Sequence, residues 1–331
     1  MNNSPRQIAI LGAGGLGRAA VRVLEPKSTF RLVALGDSQG IAHRPEGIRA
    51  THLTGLGDAE SVATIAGLGR ASSDAAGELI ALNKAGLVDA VFLAVPNIPN
   101  NFIPDLIARF AGEGFNGVVA DALKRTSAVE QILKSEAALK GSNLLYVTGA
   151  GATPGLLTAA ANLAAQSFAR VDEVKIWFGV GMANWSNYRA TIREDIAHMP
   201  GFNIDKVRAM TEADIEALLE ETKGLIELHG MEHADDILLE RAGVVQAAKV
   251  QVGGLVDTRN PKKPVSTSMS LRGVTFEGKE ATHTFTLGDE TSMAANVLGP
   301  AFGWMNAGLD LHGRGIRGLF SSADLMPKFV N

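Results

Sequence analysis

The sequence predicts an α/β protein, in which a doubly wound parallel sheet is followed by a second, α+β domain. Up to about residue 150, short apolar runs alternate with helical segments, which is typical of a parallel sheet covered by helices on both faces. After about residue 170, a long helical region is followed by paired strands, which is typical of an α+β domain. The 331 residues also exceed one ordinary core and suggest two domains.

The first half is predicted to consist of repeated strand–helix units. The apolar runs are short and lack the regular polar alternation of a half-exposed strand, so we expect them to be buried on both faces. We predict strands over residues 7–11, 30–35, 89–95, 117–120 and 143–148, and helices over 18–25 and 103–110.

The second half has a different pattern. We predict a strand over 174–180, a helical region over 204–248, and a hairpin of strands 265–276 and 281–287. Thr211 and Asp214 have the spacing of a capping box, which is typical of a helix start. We therefore expect a first domain over 1–150 and a second over 151–300. The sequence leaves open whether the C-terminal segment, 301–331, returns to the first domain.

Composition excludes several classes of protein. The net charge is −4, so no basic field is available to bind nucleic acid, and the absence of Cys excludes disulfides, thiolate metal sites and a cysteine nucleophile. The uncharged stretch 141–169 is long enough to cross a bilayer, but Pro154 and several glycines favour a strand, a turn and a buried helix. The N-terminus lacks the layout of a signal peptide, so we expect a cytoplasmic protein with no membrane partner.

A glycine motif follows the first predicted strand. Residues 12–17 read Gly-Ala-Gly-Gly-Leu-Gly, which matches G-x-G-x-x-G between a strand and a helix. In this context Gly12 permits a tight turn, Gly14 lets the backbone approach a pyrophosphate, and Gly17 lets helix and strand pack closely. Gly15 and Leu16 lie in the same turn, just before the predicted helix, whose free N–H groups attract phosphate. The motif predicts a Rossmann domain that binds a nicotinamide dinucleotide.

An acidic residue stands at the end of the second predicted strand. Asp37, followed by Ser38, lies twenty residues beyond Gly17, where a carboxylate accepts hydrogen bonds from the adenine-ribose hydroxyls. Such a carboxylate also repels a 2′-phosphate, so we predict NAD as the cofactor. NADP stays an alternative, because His43 and Arg44 are close in the sequence.

The loop after a third strand is a candidate for the nicotinamide side of this site. Val95, Pro96 and Asn97 end the strand 89–95, and ligands in such sheets bind at the carboxyl ends of strands. The alternative is that Pro96 only ends the strand.

A second glycine-rich turn follows the strand 143–148. We predict Thr153 as the N-cap of the next helix and Pro154 as its first residue. This helix N-terminus, together with Gly151, would hold either a nicotinamide ribose or a substrate carboxylate.

These two turns carry a resemblance to a known family. Residues 12–17, with the later Gly151-Ala152-Thr153-Pro154-Gly155, resemble the saccharopine dehydrogenase-like family, which is related to carboxynorspermidine, homoserine and diaminopimelate dehydrogenases. The resemblance covers roughly residues 7–165. It implies an NAD(P)-dependent oxidoreductase of amino acid metabolism that acts on the C–N bond of an amino-acid or amine substrate. Two alternatives are an alcohol-oxidising enzyme like homoserine dehydrogenase and a non-catalytic NAD-binding regulator.

Such a reaction needs a group that transfers a proton. Asp121 and Lys124 follow the strand 117–120 at the same sheet edge, and Lys124 would act as acid–base or as a substrate anchor. The alternative for Lys124 is a solvated side chain at a helix start. His283 shares a strand face with Phe285, which predicts a partly buried side chain, either in the core or over the cofactor.

The substrate contacts are predicted in the irregular second half. Arg189 and Arg193 are four residues apart, so one helix face would present both guanidiniums to a carboxylate, unless they form surface ion pairs. Tyr188 in the preceding polar, aromatic stretch and Thr153 in the glycine turn are further candidates. His229 and His233 do not have the spacing of a zinc motif, so we expect no metal. A homodimer built through the second domain is expected.

Overall fold

A computed structural model of the chain describes residues 4–57, 60–96, 99–182 and 192–331. The chain divides into two compact units, one formed by Met1–Leu156 with Ala294–Asn331 and the other by Leu157–Met293. The strands are β1 Arg6–Leu11, β2 Phe30–Gly36, β3 Gly40–His43, β4 Gly69–Ala71, β5 Ala90–Leu93, β6 Gly117–Asp121, β7 Leu144–Thr148, β8 Phe168–Gly181, β9 Leu225–Leu228, β10 Val250–Asp257, β11 Ser268–Thr275, β12 Glu280–Thr286 and β13 Gly318–Ser321. The α-helices are α1 Gly15–Leu24, α2 Ala75–Lys84, α3 Phe102–Gly112, α4 Thr126–Leu133, α5 Glu136–Lys140, α6 Leu156–Ala165, α7 Ile192–Ile196, α8 Ile204–Arg208, α9 Glu212–Glu221, α10 Asp235–Arg241 and α11 Met293–Gly313.

The first unit is built on one sheet with the strand order β13-β7-β6-β5-β1-β2-β3-β4. The strands from β13 to β2 are parallel, whereas β3 and β4 extend the sheet as antiparallel strands. Strand β1 lies between β2 and β5, so the strand order reverses beside β1, which is the point where ligands bind in doubly wound sheets. The predicted Rossmann fold is confirmed.

The apolar runs explain why this sheet forms. Ile8, Ile10 and Phe92 are fully buried, as expected for strands covered on both faces. The C-terminal segment contributes α11 and β13, and Phe302 of α11 packs edge-to-face on Phe92 with ring centroids 5.6 Å apart. Because β13 pairs with β7, the C-terminal segment completes the first sheet.

The second unit has a five-stranded sheet with the order β12-β11-β8-β10-β9. Strands β8 and β10 are parallel and the other pairs are antiparallel, which confirms a mixed α+β architecture. Buried apolar side chains on helices α7 to α9 and strands β9 and β10 form its core: Ile192, Ile196, Val207, Ile215, Leu219, Ile226, Leu228 and Val256.

Two local predictions can be compared directly with this unit. The β11–β12 hairpin and the Thr211–Asp214 capping box are both present, and Thr211 Oγ1 accepts a hydrogen bond from the Asp214 N–H. The predicted helical region over 204–248 is wrong. It contains three separate helices and β9, because Gly224, with a positive φ of 82°, ends α9, and Gly230, with a φ of 56°, turns the chain after β9. None of the helices in the described ranges has the length and apolar content to span a membrane.

Candidate functional site

The glycine turn after β1 has the geometry that a dinucleotide requires. Gly12 has a φ of 113°, and a Cβ added there would lie 2.3 Å from the Ala94 carbonyl oxygen. A Cβ added at Gly17 would lie 1.8 Å from the Gly12 carbonyl oxygen, whereas a Cβ added at Gly14 or Gly15 would have no atom within 4 Å. The outer glycines therefore let the backbone pack, and the middle ones leave open space beside the helix start. This combination fits a bound pyrophosphate.

Helix α1 starts at this turn without a side-chain cap and without an acidic residue in its first turn. Its first N–H groups therefore remain available to an anionic group. Arg18, which sequence reasoning missed, is buried and donates hydrogen bonds to the carbonyl oxygens of Ala13, Leu56 and Glu60. These hydrogen bonds hold the glycine turn against the segment before Ser61. The only sequence signal for this role is the position of Arg18 directly after the glycine motif.

The structure places Asp37 at the end of β2, next to the glycine turn, since Gly12 N–H donates to the Gly36 carbonyl. Asp37 Oδ1 accepts hydrogen bonds from Ser61 Oγ and from the N–H groups of Gln39 and Gly40, and Oδ2 accepts one from Val62 N–H. The carboxylate thus also organises the following loop. Ser38 is exposed. Ribose binding by Asp37 stays a prediction. Oδ2 accepts fewer hydrogen bonds than Oδ1, so it is the oxygen with more capacity to accept one from a ribose hydroxyl.

The loop after β5 lies against the same turn. A Cβ at Gly12 would be 3.0 Å from the Val95 backbone nitrogen, so Val95 and the exposed Pro96 lie beside the glycine motif. Asn97 is outside the described residues. The predicted nicotinamide-side loop and the predicted pyrophosphate turn are therefore neighbours at one sheet edge.

Asp121, at the end of β6, has a different environment from the one predicted for a proton-transfer group. It is 1% exposed and accepts hydrogen bonds from Tyr146 Oη, Thr148 Oγ1 and the N–H groups of Leu123 and Gly149. Burial raises the pKa of Asp121, and the hydrogen bonds oppose that rise. The carboxyl therefore ties the β6 loop to the turn after β7, and a proton-transfer role for Asp121 stays a prediction.

Lys124 lies in that β6 loop, three residues beyond Asp121, with an exposed side chain. Its neighbour Arg125 donates to Asn100 Oδ1 at 2.8 Å, which links the loop to the segment before α3. Within the described part of the chain, Lys124 Nζ has neither a hydrogen bond nor an ion pair. Lys124 thus lies in a loop at the carboxyl edge of the sheet, and its side chain is accessible to solvent.

The second glycine turn differs from its prediction. Helix α6 begins at Leu156, and the Thr153–Pro154 peptide bond is cis and precedes the helix, so Thr153 is not its N-cap. The reason is a compact turn in which Gly151 N–H donates to the Pro154 carbonyl and Leu156 N–H donates to the Gly151 carbonyl. Gly155 has a φ of 140°, which another residue would rarely adopt.

The structure describes two of the predicted residues of the second unit, His283 and Arg193. His283 is exposed on the edge strand β12, with its ring edge-to-face on Phe168, so the predicted partial burial is wrong because β12 has only one neighbouring strand. Arg193 donates two hydrogen bonds to the carbonyl oxygens of Val207 and Met210 at 3.0 and 2.8 Å. These bonds hold the α8–α9 connection. Tyr188 and Arg189 lie outside the described residues.

The described residues contain no group of three or more His, Asp or Glu side chains that could hold a metal ion.

The candidate site of the first unit consists of the glycine turn, the Val95–Pro96 loop and the Lys124 loop. The last two follow adjacent parallel strands, β5 and β6, and so lie at one sheet edge.

Asp121 gives a stability prediction with a defined sign. Because its pKa is raised, the folded chain binds a proton there more tightly than the unfolded chain, whose carboxyl titrates near 3.8. Between pH 3.8 and the raised pKa of the folded chain, the free energy of unfolding therefore falls as pH rises, by at most about 1.4 kcal/mol per pH unit. Asp121→Asn removes this group, so the wild-type and variant unfolding free energies should approach each other or cross as pH rises from 4. Urea unfolding between pH 4 and 8 measures this, and parallel curves would contradict it.

The strand order, the reversal beside β1 and the open glycine turn define a Rossmann fold. Solved structures of dehydrogenases share this fold. Saccharopine dehydrogenase from Saccharomyces cerevisiae is 12% identical with a TM-score of 0.59, over 96% of this chain and 94% of that chain. A meso-DAPDH mutant from Clostridium tetani E88 is also 12% identical with a TM-score of 0.54, over 96% and 94% of the two chains. An engineered D-amino acid dehydrogenase bound to NADP+ has the same identity and TM-score, over 97% and 94%.

A curated relative defines the family. The chain is 42% identical to the (S)-8-amino-7-oxononanoate synthase BioU of Haloferax mediterranei, over 97% of this chain and 98% of the relative. The chain belongs to the BioU family, which is a family of enzymes. No model in a scan of protein families matches the sequence.

This relative corrects the predicted function. The expected oxidoreductase acting on the C–N bond of an amino-acid or amine substrate is overturned, because the relative is named as a synthase of an amino-oxo acid. The resemblance to saccharopine and diaminopimelate dehydrogenases holds for the fold, at 12% identity.

Proposed function

We propose that this chain catalyses a reaction of (S)-8-amino-7-oxononanoate, the compound for which its Haloferax mediterranei relative is named. The observation that carries the proposal is the 42% identity over nearly the whole of both chains, since the likeness includes both units. A likeness of one unit alone would support only a shared fold.

The chemistry of this compound suits the residues at the sheet edge. Its name specifies a carboxylate, a ketone at carbon 7 and an amine at carbon 8. A primary amine such as that of Lys124 can exchange a proton with such a group, anchor its carboxylate or condense with the ketone. Lys124 is exposed and has no hydrogen bond or ion pair among the residues that the structure describes, so its amine is well placed to contact the reactant.

We further propose that the glycine turn binds a nicotinamide dinucleotide. The open space at Gly14 and Gly15 and the uncapped start of α1 would hold the pyrophosphate. Asp37 Oδ2 would accept a hydrogen bond from the adenine ribose, which favours NAD over NADP. When bound, the nicotinamide supplies hydride exchange.

The test is an assay of the purified chain with (S)-8-amino-7-oxononanoate and either NADH or NADPH. Mass spectrometry of the small molecules and of the intact protein should show conversion of the compound, or a covalent adduct that borohydride traps on the protein. Fluorescence titration should show tighter binding of NADH than of NADPH. If no conversion and no adduct are detected with either dinucleotide, the proposed reaction is wrong. If neither NADH nor NADPH binds, the proposed cofactor is wrong.

A further inference from the structure

The β6 loop, residues 122–125, carries Lys124 and is tied at both ends. At its start, Asp121 Oδ1 accepts a hydrogen bond from Leu123 N–H at 2.8 Å. At its end, Arg125 donates to an asparagine side chain in the segment before α3, also at 2.8 Å. Leu123 is buried, whereas its neighbour Lys124 is exposed. The exposed amine therefore extends from a backbone segment whose two flanking residues are held.

The tie at the start of the β6 loop depends on a buried pair, Asp121 and Tyr146. Tyr146 Oη donates to Asp121 Oδ2, while Thr148 Oγ1 and Gly149 N–H donate to Oδ1 at 3.3 and 2.9 Å. Tyr146 is fully buried, and Asp121 is 1% exposed. Ala150 N–H also donates to the Asp121 carbonyl oxygen at 2.9 Å. The pair thus fastens the β6 loop to β7 and to the turn that follows β7.

Burial of this carboxyl group is costly. All of its hydrogen-bond partners are donors, which is the set that an ionised carboxylate accepts. Within the described residues no Lys, Arg or His side chain forms an ion pair with Asp121, so hydrogen bonds alone compensate for its desolvation. An apolar side chain would avoid that cost. Unlike an apolar side chain, however, the carboxyl fixes a geometry, because it accepts one bond from the loop and three from β7 and its turn.

We propose that Asp121 and Tyr146 are positioning residues for the amine of Lys124; this inference rests on the proposed function. In this role neither side chain touches the reactant. Their buried hydrogen bond fixes the backbone beside Lys124 and therefore the point from which the flexible lysine side chain extends. A misplacement of about 1 Å can cost a reacting group about a hundredfold in rate, so this pair should control how productively the amine meets a bound reactant.

Two variants weaken the pair in different ways. Tyr146→Phe removes one hydroxyl and keeps the ring, and Asp121→Asn replaces an acceptor oxygen by a donor amide. Both should lower the maximal rate with (S)-8-amino-7-oxononanoate at least about tenfold, whereas the half-saturating concentration should stay within about twofold. Mass spectrometry of the reaction mixture at several reactant concentrations measures both quantities. Thr258→Val, which removes a fully buried hydroxyl of the second unit, is the matched control and should keep the wild-type rate.

A labelling experiment separates the position of the amine from its intrinsic reactivity. Formaldehyde with cyanoborohydride methylates exposed amines, and peptide mass spectrometry gives the rate at Lys124 relative to Lys134, another exposed lysine. This ratio should be the same in wild type and both variants, because a small reagent reaches an exposed amine in any loop position. Hydrogen exchange over residues 119–126 should nevertheless be faster in both variants, because the carboxyl no longer holds the Leu123 N–H as firmly.

The outcomes distinguish this proposal from its alternatives. Wild-type rates in both variants, or unchanged hydrogen exchange, would overturn it. An equal loss of rate in Thr258→Val would also overturn it, because the loss would then follow stability alone. If only Asp121→Asn loses activity, Asp121 acts in the predicted proton transfer and not through the lysine. If the wild type does not convert the compound, the proposed function is wrong, and faster exchange in both variants would still support fixation of the loop by this pair.

Discussion

The Lys124→Ala variant is expected to lose about a hundredfold or more of the wild-type rate with (S)-8-amino-7-oxononanoate. Lys124 is exposed at the carboxyl edge of the first sheet and is unpaired within the described residues, so it is available to a reactant. For the same reason the side chain contributes little to folding, and the melting temperature should stay within about 1 °C. Mass spectrometry of the reaction mixture and circular dichroism measure the two quantities.

Two further variants separate the possible roles of the Lys124 amine. Lys124→Arg keeps the positive charge but removes the amine that exchanges a proton or condenses with a ketone, so it should also be inactive. Lys134→Ala changes another exposed lysine, at the end of α4, and should behave like wild type. Full activity of Lys124→Arg would limit Lys124 to anchoring a carboxylate. Full activity of Lys124→Ala would remove it from the site altogether.

The parts of the first unit that could be predicted are those specified locally. Strands β1, β2, β5, β6 and β7 were predicted because each is an apolar run buried on both faces. Strands β3 and β4 were missed, since they have four and three residues and form only because the chain pairs antiparallel beside β2. The prediction of a helical region over 204–248 failed for a related reason: glycines with positive φ are not distinguishable from ordinary helical glycines in the sequence.

The same distinction applies to the candidate site. The glycine spacing predicts the geometry of the turn, because Gly12 and Gly17 allow close backbone contacts and Gly14 and Gly15 leave open space at the helix start. Asp121, by contrast, was predicted from its position after a strand. Its burial depends on Tyr146 and Gly149, about 25 residues later, which close around the carboxyl only when β6 and β7 pair. A carboxylate at a strand end can therefore be a structural tie rather than an acid–base group.

A buried cluster in the second unit, in which His233 Nδ1 and Thr158 Oγ1 both contact the Asp235 carboxyl group, shows the limit of motif reasoning most directly. Residues 229–233 were considered for metal binding and dismissed on their spacing, which says nothing about a partner at a distance. Thr158 and Asp235 are separated by 77 residues, and only the folded second unit brings the hydroxyl to the carboxylate. The remaining signal in the sequence is the two-residue spacing of His233 and Asp235, which is too common to identify a site.

Single methyl groups in the glycine turn should separate ligand binding from folding. Gly14→Ala has no atom within 4 Å of the added Cβ and a φ of −73°, so the melting temperature should stay within about 1 °C. The methyl group would nevertheless occupy the space proposed for the pyrophosphate, and NADH affinity should fall at least about tenfold, a loss of about 1.4 kcal/mol. Fluorescence titration and thermal unfolding measure both effects.

Gly17→Ala should differ in kind, because its Cβ would lie 1.8 Å from the Gly12 carbonyl oxygen and the backbone of the turn must move. Both stability and NADH affinity should fall, with a loss of about 2 kcal/mol or more in the free energy of unfolding, as overpacking typically costs. Gly112→Ala, at the end of α3 with nothing within 4 Å, is the matched control and should leave NADH affinity unchanged. If Gly14→Ala binds NADH with wild-type affinity, the dinucleotide does not bind at this turn. The added methyl group contacts no protein atom, so it can lower NADH affinity only by contact with the bound dinucleotide.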